Sequence, residues 1–170
     1  MKIESIENTY HLSQTSLTKN QVQEYRRTYL WHGFFLFVLG CIIPMFIDLY
    51  TNPRAALSAH TLGIMMGTFL ICVGLAFPYI EFAGKWLADW AFWLLVVSSY
   101  SGITIQVMAA VFGLIKTFAI TGKGFPGGPE WMEISVDITA KVISSFTLVA
   151  CFIILYGLRQ VKFDSLSSKE

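Results

Sequence analysis

Residues 55–80 read AALSAHTLGIMMGTFLICVGLAFPYI, a run without a single Asp, Glu, Lys or Arg. About 20 apolar residues in helical form span the hydrocarbon core of a bilayer, so this stretch predicts a transmembrane helix. Asn52 and Pro53 stand just ahead of it, an N-cap followed by a proline whose missing N–H costs nothing in a first turn. Working outward, three more runs of similar character occur at 29–47, 87–115 and 134–158. The first is interrupted by His32, the third has Trp86, Trp90 and Trp93 at its head as an interfacial belt, and the fourth contains Asp137 and Lys141. Those two charges are four residues apart and can pair along one helix face, which lowers their cost in lipid.

Composition agrees with these spans. The chain of 170 residues is 55% hydrophobic and only 14% charged, where soluble domains carry about a quarter charged residues. The expected fold is all-α, a four-helix integral membrane bundle formed by residues 29–159. An N-terminal arm, 1–28, and a C-terminal tail, 160–170, flank it. The arm has no apolar h-region, so no cleavable signal peptide is expected. The formal net charge of +1 excludes the basic footprint of a nucleic-acid binder. Cys41, Cys72 and Cys151 each sit in an apolar run with no paired spacing, and are expected as free, buried thiols.

Lys and Arg near the spans fix an expected orientation. Lys19, Arg26, Arg27, Lys85, Arg159, Lys162 and Lys169 fall on one side, and Arg54, Lys116 and Lys123 on the other. Both termini are therefore expected in the cytoplasm of a bacterial inner membrane. The outer loop, 121–131, contains Gly122, Gly124, Pro126, Gly127, Gly128 and Pro129, which rule out regular structure.

His60 is the residue that asks for chemistry, because an imidazole within an uncharged span needs a partner or a metal. On a helix it shares a stripe with Gly63, Gly67, Ile71 and Gly74. Two readings stand side by side. Small residues three or four apart let transmembrane helices approach closely, or the glycines form a bed for a flat cofactor such as haem, with His60 as axial ligand. His32 lies near the opposite membrane face, so the two histidines cannot share an iron; it reads as an interfacial anchor, and His11 as part of the arm. Span three carries Ser98, Ser99, Tyr100, Ser101, Thr104 and Gln106. The hydroxyls can satisfy themselves on their own helix, whereas Tyr100 and Gln106 need partners on a neighbouring helix or a pocket. There is no Ser-His-Asp order, phosphate loop or His-Glu-x-x-His.

Asn52-Pro53-Arg54, Leu57-Ser58-Ala59-His60, Gly63 and Gly67 together resemble the signature of the hydroxylaminobenzene mutases and the related styrene oxide isomerases. Tyr100, Trp131 with Glu133, and Leu155-Tyr156-Gly157-Leu158-Arg159 agree in outline. The resemblance implies a homotrimer in the membrane and ferric haem b bound by His60 as its metal ligand. The iron then acts as a Lewis acid on a small apolar oxygenated substrate. On this reading Tyr100 is expected as hydrogen-bond donor to substrate oxygen and Met66 as a wall of the pocket. Gly63 and Gly67 would lie against the cofactor, and Arg54, about a turn before His60, either meets a propionate or serves equally well as an interfacial anchor. Leu62 and Met66 depart from the family pattern, which has Glu and Asn there, and make the pocket more apolar. Epoxide to carbonyl is the first expected reaction and transfer of a hydroxyl from nitrogen to an aromatic ring the second. A non-catalytic membrane protein that binds lipid or assembles with a partner is the alternative outside the enzyme class.

Overall fold

The computed structural model describes residues 17–159. The tail 160–170, most of the arm, and His11, Lys162 and Lys169 lie outside the described residues. Four long helices follow one another: α1 (Lys19–Ile42), α2 (Pro53–Ala76), α3 (Lys85–Phe112) and α4 (Glu130–Arg159). Each is long and apolar enough to cross a membrane. This is an all-helical membrane protein.

Helix ends follow local chemistry. α1 begins at Lys19, ten residues before the apolar run at Tyr29, because Thr18 and Gln21 form a capping box. The Gln21 N–H donates to Thr18 Oγ1 at 3.4 Å, and the Thr18 N–H to Gln21 Oε1 at 2.9 Å, satisfying two donors that a helix start leaves free. Residues 19–28, expected in the arm, are thus helical. At its far end α1 tightens into a 3-10 segment, Ile43–Leu49, with Pro44 in its first turn and a kink at Phe46. α2 starts as expected, with Asn52 Oδ1 accepting the Ala55 N–H at 3.1 Å and Pro53 next to it. α3 stops at Phe112 rather than running to Ile115, because Gly113 takes the left-handed conformation (φ 68°) that glycine adopts without strain at a helix end. α4 takes up Glu130 and Trp131, so the irregular outer loop ends at Pro129.

Packing is sequential. α1 lies along α2, α3 packs against α2 and α4, and α1 and α3 touch less extensively. α3 is the most buried of the four and α4 the least; Cys41 and Cys72, expected buried, are exposed on the outer surface of the helices, and Cys151 is half-buried. At one end of the bundle Tyr25, Tyr29, Phe77 and Phe92 form an aromatic cluster, with Tyr29 and Phe92 edge to face at 5.0 Å between centroids. The Tyr25 hydroxyl also donates to Asp89, tying α1 to α3. Asp137 and Lys141 pair at 2.7 Å on the exposed side of α4.

The glycine stripe forms the α1–α2 seam. A methyl group built on Gly63 would sit 2.7 Å from the Gly40 Cα, and one on Gly67 would sit 2.7 Å from the Gly33 carbonyl oxygen. Backbone fills the space on both sides. The packing reading holds for Gly63 and Gly67, and the expectation that they cradle a flat cofactor is corrected: α1 occupies the surface that the cofactor would need.

Candidate functional site

His60 lies at the edge of that seam, half-buried. Its Nδ1 is 2.8 Å from the Gly40 carbonyl oxygen on α1, so Nδ1 carries the proton and donates, because a carbonyl can only accept. The tautomer leaves Nε2 with its lone pair. This is the arrangement in which a second-shell acceptor orients an imidazole for a metal. On α1 the exposed Phe37 and Cys41 lie three residues before and one after Gly40, and on α2 the exposed Leu57 and Thr61 are placed the same way about His60; the Thr61 hydroxyl is spent on the Leu57 carbonyl at 3.0 Å. No cluster of three or more His, Cys, Asp or Glu exists among the described residues; a metal at His60 would need most of its ligands from a cofactor.

Arg54 does not point freely toward that edge. Its Nη2 donates to the Lys123 carbonyl at 2.6 Å and its guanidinium lies over the Phe125 ring at 5.1 Å. These contacts staple the start of α2 to the outer loop, in keeping with an anchoring role for Arg54.

Tyr100 points toward α1. Its hydroxyl is 3.0 Å from His32 Nδ1, which gives His32 a defined partner beyond simple interfacial anchoring. Eight residues separate His32 from Gly40 on α1, about 12 Å along a helix at 1.5 Å per residue, so Tyr100 and His60 do not meet within one chain. Met66 faces the other way. With Leu62, Ser98, Gly102, Gln106 and Ile143 it lines a cavity of about 360 Å³ between α2, α3 and α4. His60, Tyr100 and Met66, grouped by sequence reasoning, therefore occupy three different faces.

The outer loop is closed by a residue whose role sequence reasoning missed. The Glu133 carboxylate is buried and accepts from the N–H groups of Ile115 and Lys116, each at 2.9 Å, and of Gly128 at 3.1 Å. Asn52, wholly buried, is the companion clasp: its Nδ2 donates to the Thr121 carbonyl at 3.0 Å and its own N–H to the Ala110 carbonyl at 2.8 Å. Removing a charged acceptor strands buried donors, at about 1–3 kcal/mol or more. Glu133→Ala is expected to lower the stability of the folded protein by roughly 3 kcal/mol and to expose the loop to protease. Unchanged thermal unfolding and protease resistance would show that the clasp is dispensable.

A bundle that spans the membrane, keeps one oriented imidazole at an apolar edge and holds a small cavity among its helices has the makings of a membrane-embedded site for small neutral molecules. The chain belongs to the styrene oxide isomerase family, whose pattern it matches over residues 25–159. Two relatives carry names of a related activity. Hydroxylaminobenzene mutase HabA of Ectopseudomonas oleovorans is 34% identical over 88 residues, covering 51% of this chain and 64% of that protein. Hydroxylaminobenzene mutase HabB of the same organism is 29% identical over 133 residues, covering 78% of this chain and 80% of that protein. The match thus spans just under two thirds of HabA. No solved structure is significantly similar. Family membership places the chain among isomerases and mutases.

Proposed function

We propose that the protein is a membrane isomerase that binds ferric haem b through His60 and rearranges a small apolar oxygenated substrate without net redox change. The observation that carries this reading is the hydrogen bond from His60 Nδ1 to the Gly40 carbonyl, which leaves Nε2 oriented and free. The residues present would offer haem one imidazole ligand, His60, at the edge of the α1–α2 seam, but no bed for a macrocycle on Gly63 and Gly67. When bound, ferric haem supplies a Lewis acid that polarises a substrate oxygen without a proton donor. The chain's own part is to hold the imidazole in one tautomer and to keep the site dry, where electrostatic stabilisation is large. Epoxide to carbonyl is the first reading. Hydroxyl migration from nitrogen to an aromatic ring is the second, favoured by the names of both relatives.

The direct test is the absorption spectrum of the detergent-purified protein before and after dithionite, together with assays on styrene oxide and phenylhydroxylamine. A Soret band and turnover of either substrate without an electron donor are expected. A colourless protein inactive on both would overturn the reading.

Assembly is proposed to be a homotrimer in the bacterial inner membrane with both termini cytoplasmic. The outward face of α1, with Trp31, Phe34 and Phe37 exposed, offers apolar surface to lipid or a neighbouring copy. Because Tyr100 and His60 lie apart within one chain, a substrate touching both would have to sit between copies. Tyr100 is proposed on that basis as donor to substrate oxygen. Tyr100→Phe should keep the chromophore and lower the rate ten- to a thousandfold, about 1.5–4 kcal/mol of transition-state stabilisation; an unchanged rate would remove Tyr100 from the mechanism. For orientation, a cysteine reporter at Gly127 should react with an impermeant reagent outside intact cells. Labelling only after lysis would reverse the topology.

A further inference from the structure

Four polar side chains line the cavity between α2, α3 and α4, and three of them are already satisfied. Ser98 Oγ donates to the Leu95 carbonyl at 3.0 Å, Ser144 Oγ to Ala140 at 2.8 Å and Thr147 Oγ1 to Ile143 at 3.1 Å. Each hydroxyl is spent on its own helix. Gln106 differs. Its Oε1 is buried without a partner, and no hydrogen bond to its amide exists among the described residues. The rest of the wall is largely apolar, with Leu62, Met66, Ile105 and Phe118, and among the described residues no charged side chain lines it.

A buried carbonyl oxygen without a partner is costly, and Gln106, half-buried as a whole, can turn its amide to present that oxygen to a ligand that supplies the missing bond. At about 360 Å³ the cavity falls within the range of small-molecule sites, roughly 300–1,000 Å³. Leu62 and Gln106 also line the neighbouring groove of Arg54, Leu57, Ser58 and Thr61, so Gln106 stands where that groove and the cavity share a wall. A carboxamide offers one acceptor and one donor group, which suits a neutral head that both donates and accepts. The absence of a charged lining residue selects against ions, whose burial needs a counter-charge.

We infer that this cavity binds a small, mainly apolar molecule carrying one neutral hydroxyl or amine head, and that Gln106 is the specificity-determining residue that takes the head. The cavity lies across Leu62 and Gln106 from the groove that reaches Leu57 and Thr61 beside His60, so it holds the substrate or product on its way to or from the His60 edge and not during the rearrangement. The inference deepens the isomerase reading, and rests on it only in taking the ligand to be the substrate or product.

Benzyl alcohol and ethylbenzene are near-isosteric probes that differ in the head group alone. The experiment measures their effect on thermal unfolding of the full-length protein in lipid nanodiscs, since a ligand that binds only the folded state raises its Tm. Wild type should bind benzyl alcohol about fivefold tighter, relative to ethylbenzene, than Gln106→Leu does, the worth of one net hydrogen bond. Gln106→Leu should keep or strengthen the ethylbenzene shift. Ala140→Phe, which fills the cavity, should lose both shifts; Gln106→Met serves in place of Gln106→Leu if the latter does not fold. The same probe preference in wild type and the Gln106 variant, or both shifts persisting in Ala140→Phe, would overturn the proposal. If the preference for benzyl alcohol holds while neither styrene oxide nor phenylhydroxylamine is turned over, the site stands and the isomerase reading falls.

Discussion

His60→Ala is expected to yield a folded protein that purifies colourless and inactive on both epoxide and hydroxylamine. The imidazole contributes one hydrogen bond to the Gly40 carbonyl, a net loss of about 1 kcal/mol when removed, which a membrane bundle of four helices should survive. What the variant cannot replace is the oriented Nε2, because no other imidazole among the described residues lies on that part of the seam: His32 is engaged with Tyr100 about two turns away. Loss of haem and of activity should therefore occur together, with thermal unfolding shifted only slightly. Added imidazole should partly restore the Soret band in His60→Ala, since the vacated space admits a free ring, and His60→Gln should not restore it. In the wild type the iron should remain ferric through turnover, so that dithionite inhibits. Full haem occupancy in His60→Ala, or a requirement for an external electron donor, would show that the assigned ligand or the non-redox chemistry is wrong.

The parts of this molecule that were legible in its sequence are those governed by neighbours along the chain. Four apolar runs became four helices, Asn52 and Pro53 capped α2, and Asp137 met Lys141 one turn on. Ser98, Ser99 and Thr104 turned inward to their own helix carbonyls. The spacing of Gly63 and Gly67 announced a contact surface, but not what lies on it. The partner is backbone around Gly33, Phe37 and Gly40, and only the antiparallel register of α1 on α2 brings it there. The glycines on α1, seven residues apart, were the available signal.

Other features left no trace because their partners are backbone groups, which every residue has. The acceptor that orients His60 is a carbonyl on α1, and the three donors to Glu133 are amides of Ile115, Lys116 and Gly128. Nothing in the identity of those residues points to the contact. The start of α1 was readable in principle, from Thr18 and Gln21 at capping-box spacing, but the polar residues that follow conceal it as an arm. Which face Tyr100, Met66 and Gln106 would take depended on the rotation of α2 and α3 about their own axes. Spans with apolar residues on nearly every side carry little periodicity to set that rotation.

Gly67→Leu should cost about 3 kcal/mol of stability or prevent folding, at the upper end of what overpacking does, because neither neighbour can yield. A Cβ at position 67 would stand 2.7 Å from the Gly33 carbonyl oxygen and 2.7 Å from the Phe37 nitrogen. Both are backbone atoms within a helix, so relief requires α1 to move away from α2 as a body. The matched control is Gly102→Ala on α3, where the nearest atom is the flexible end of Leu62 at 3.4 Å; there the gain in helix propensity, up to about 1 kcal/mol, should leave stability unchanged or raised. The contrast also reaches function. The seam that Gly67 closes is the one across which Gly40 holds His60, so prying it apart lengthens that hydrogen bond and frees the ring to rotate. Gly67→Leu that can be purified should therefore show a weakened or heterogeneous chromophore as well as a lowered Tm, whereas Gly102→Ala should retain both. If Gly67→Leu matched the wild type in thermal stability and spectrum, the close α1–α2 contact would not be what positions His60.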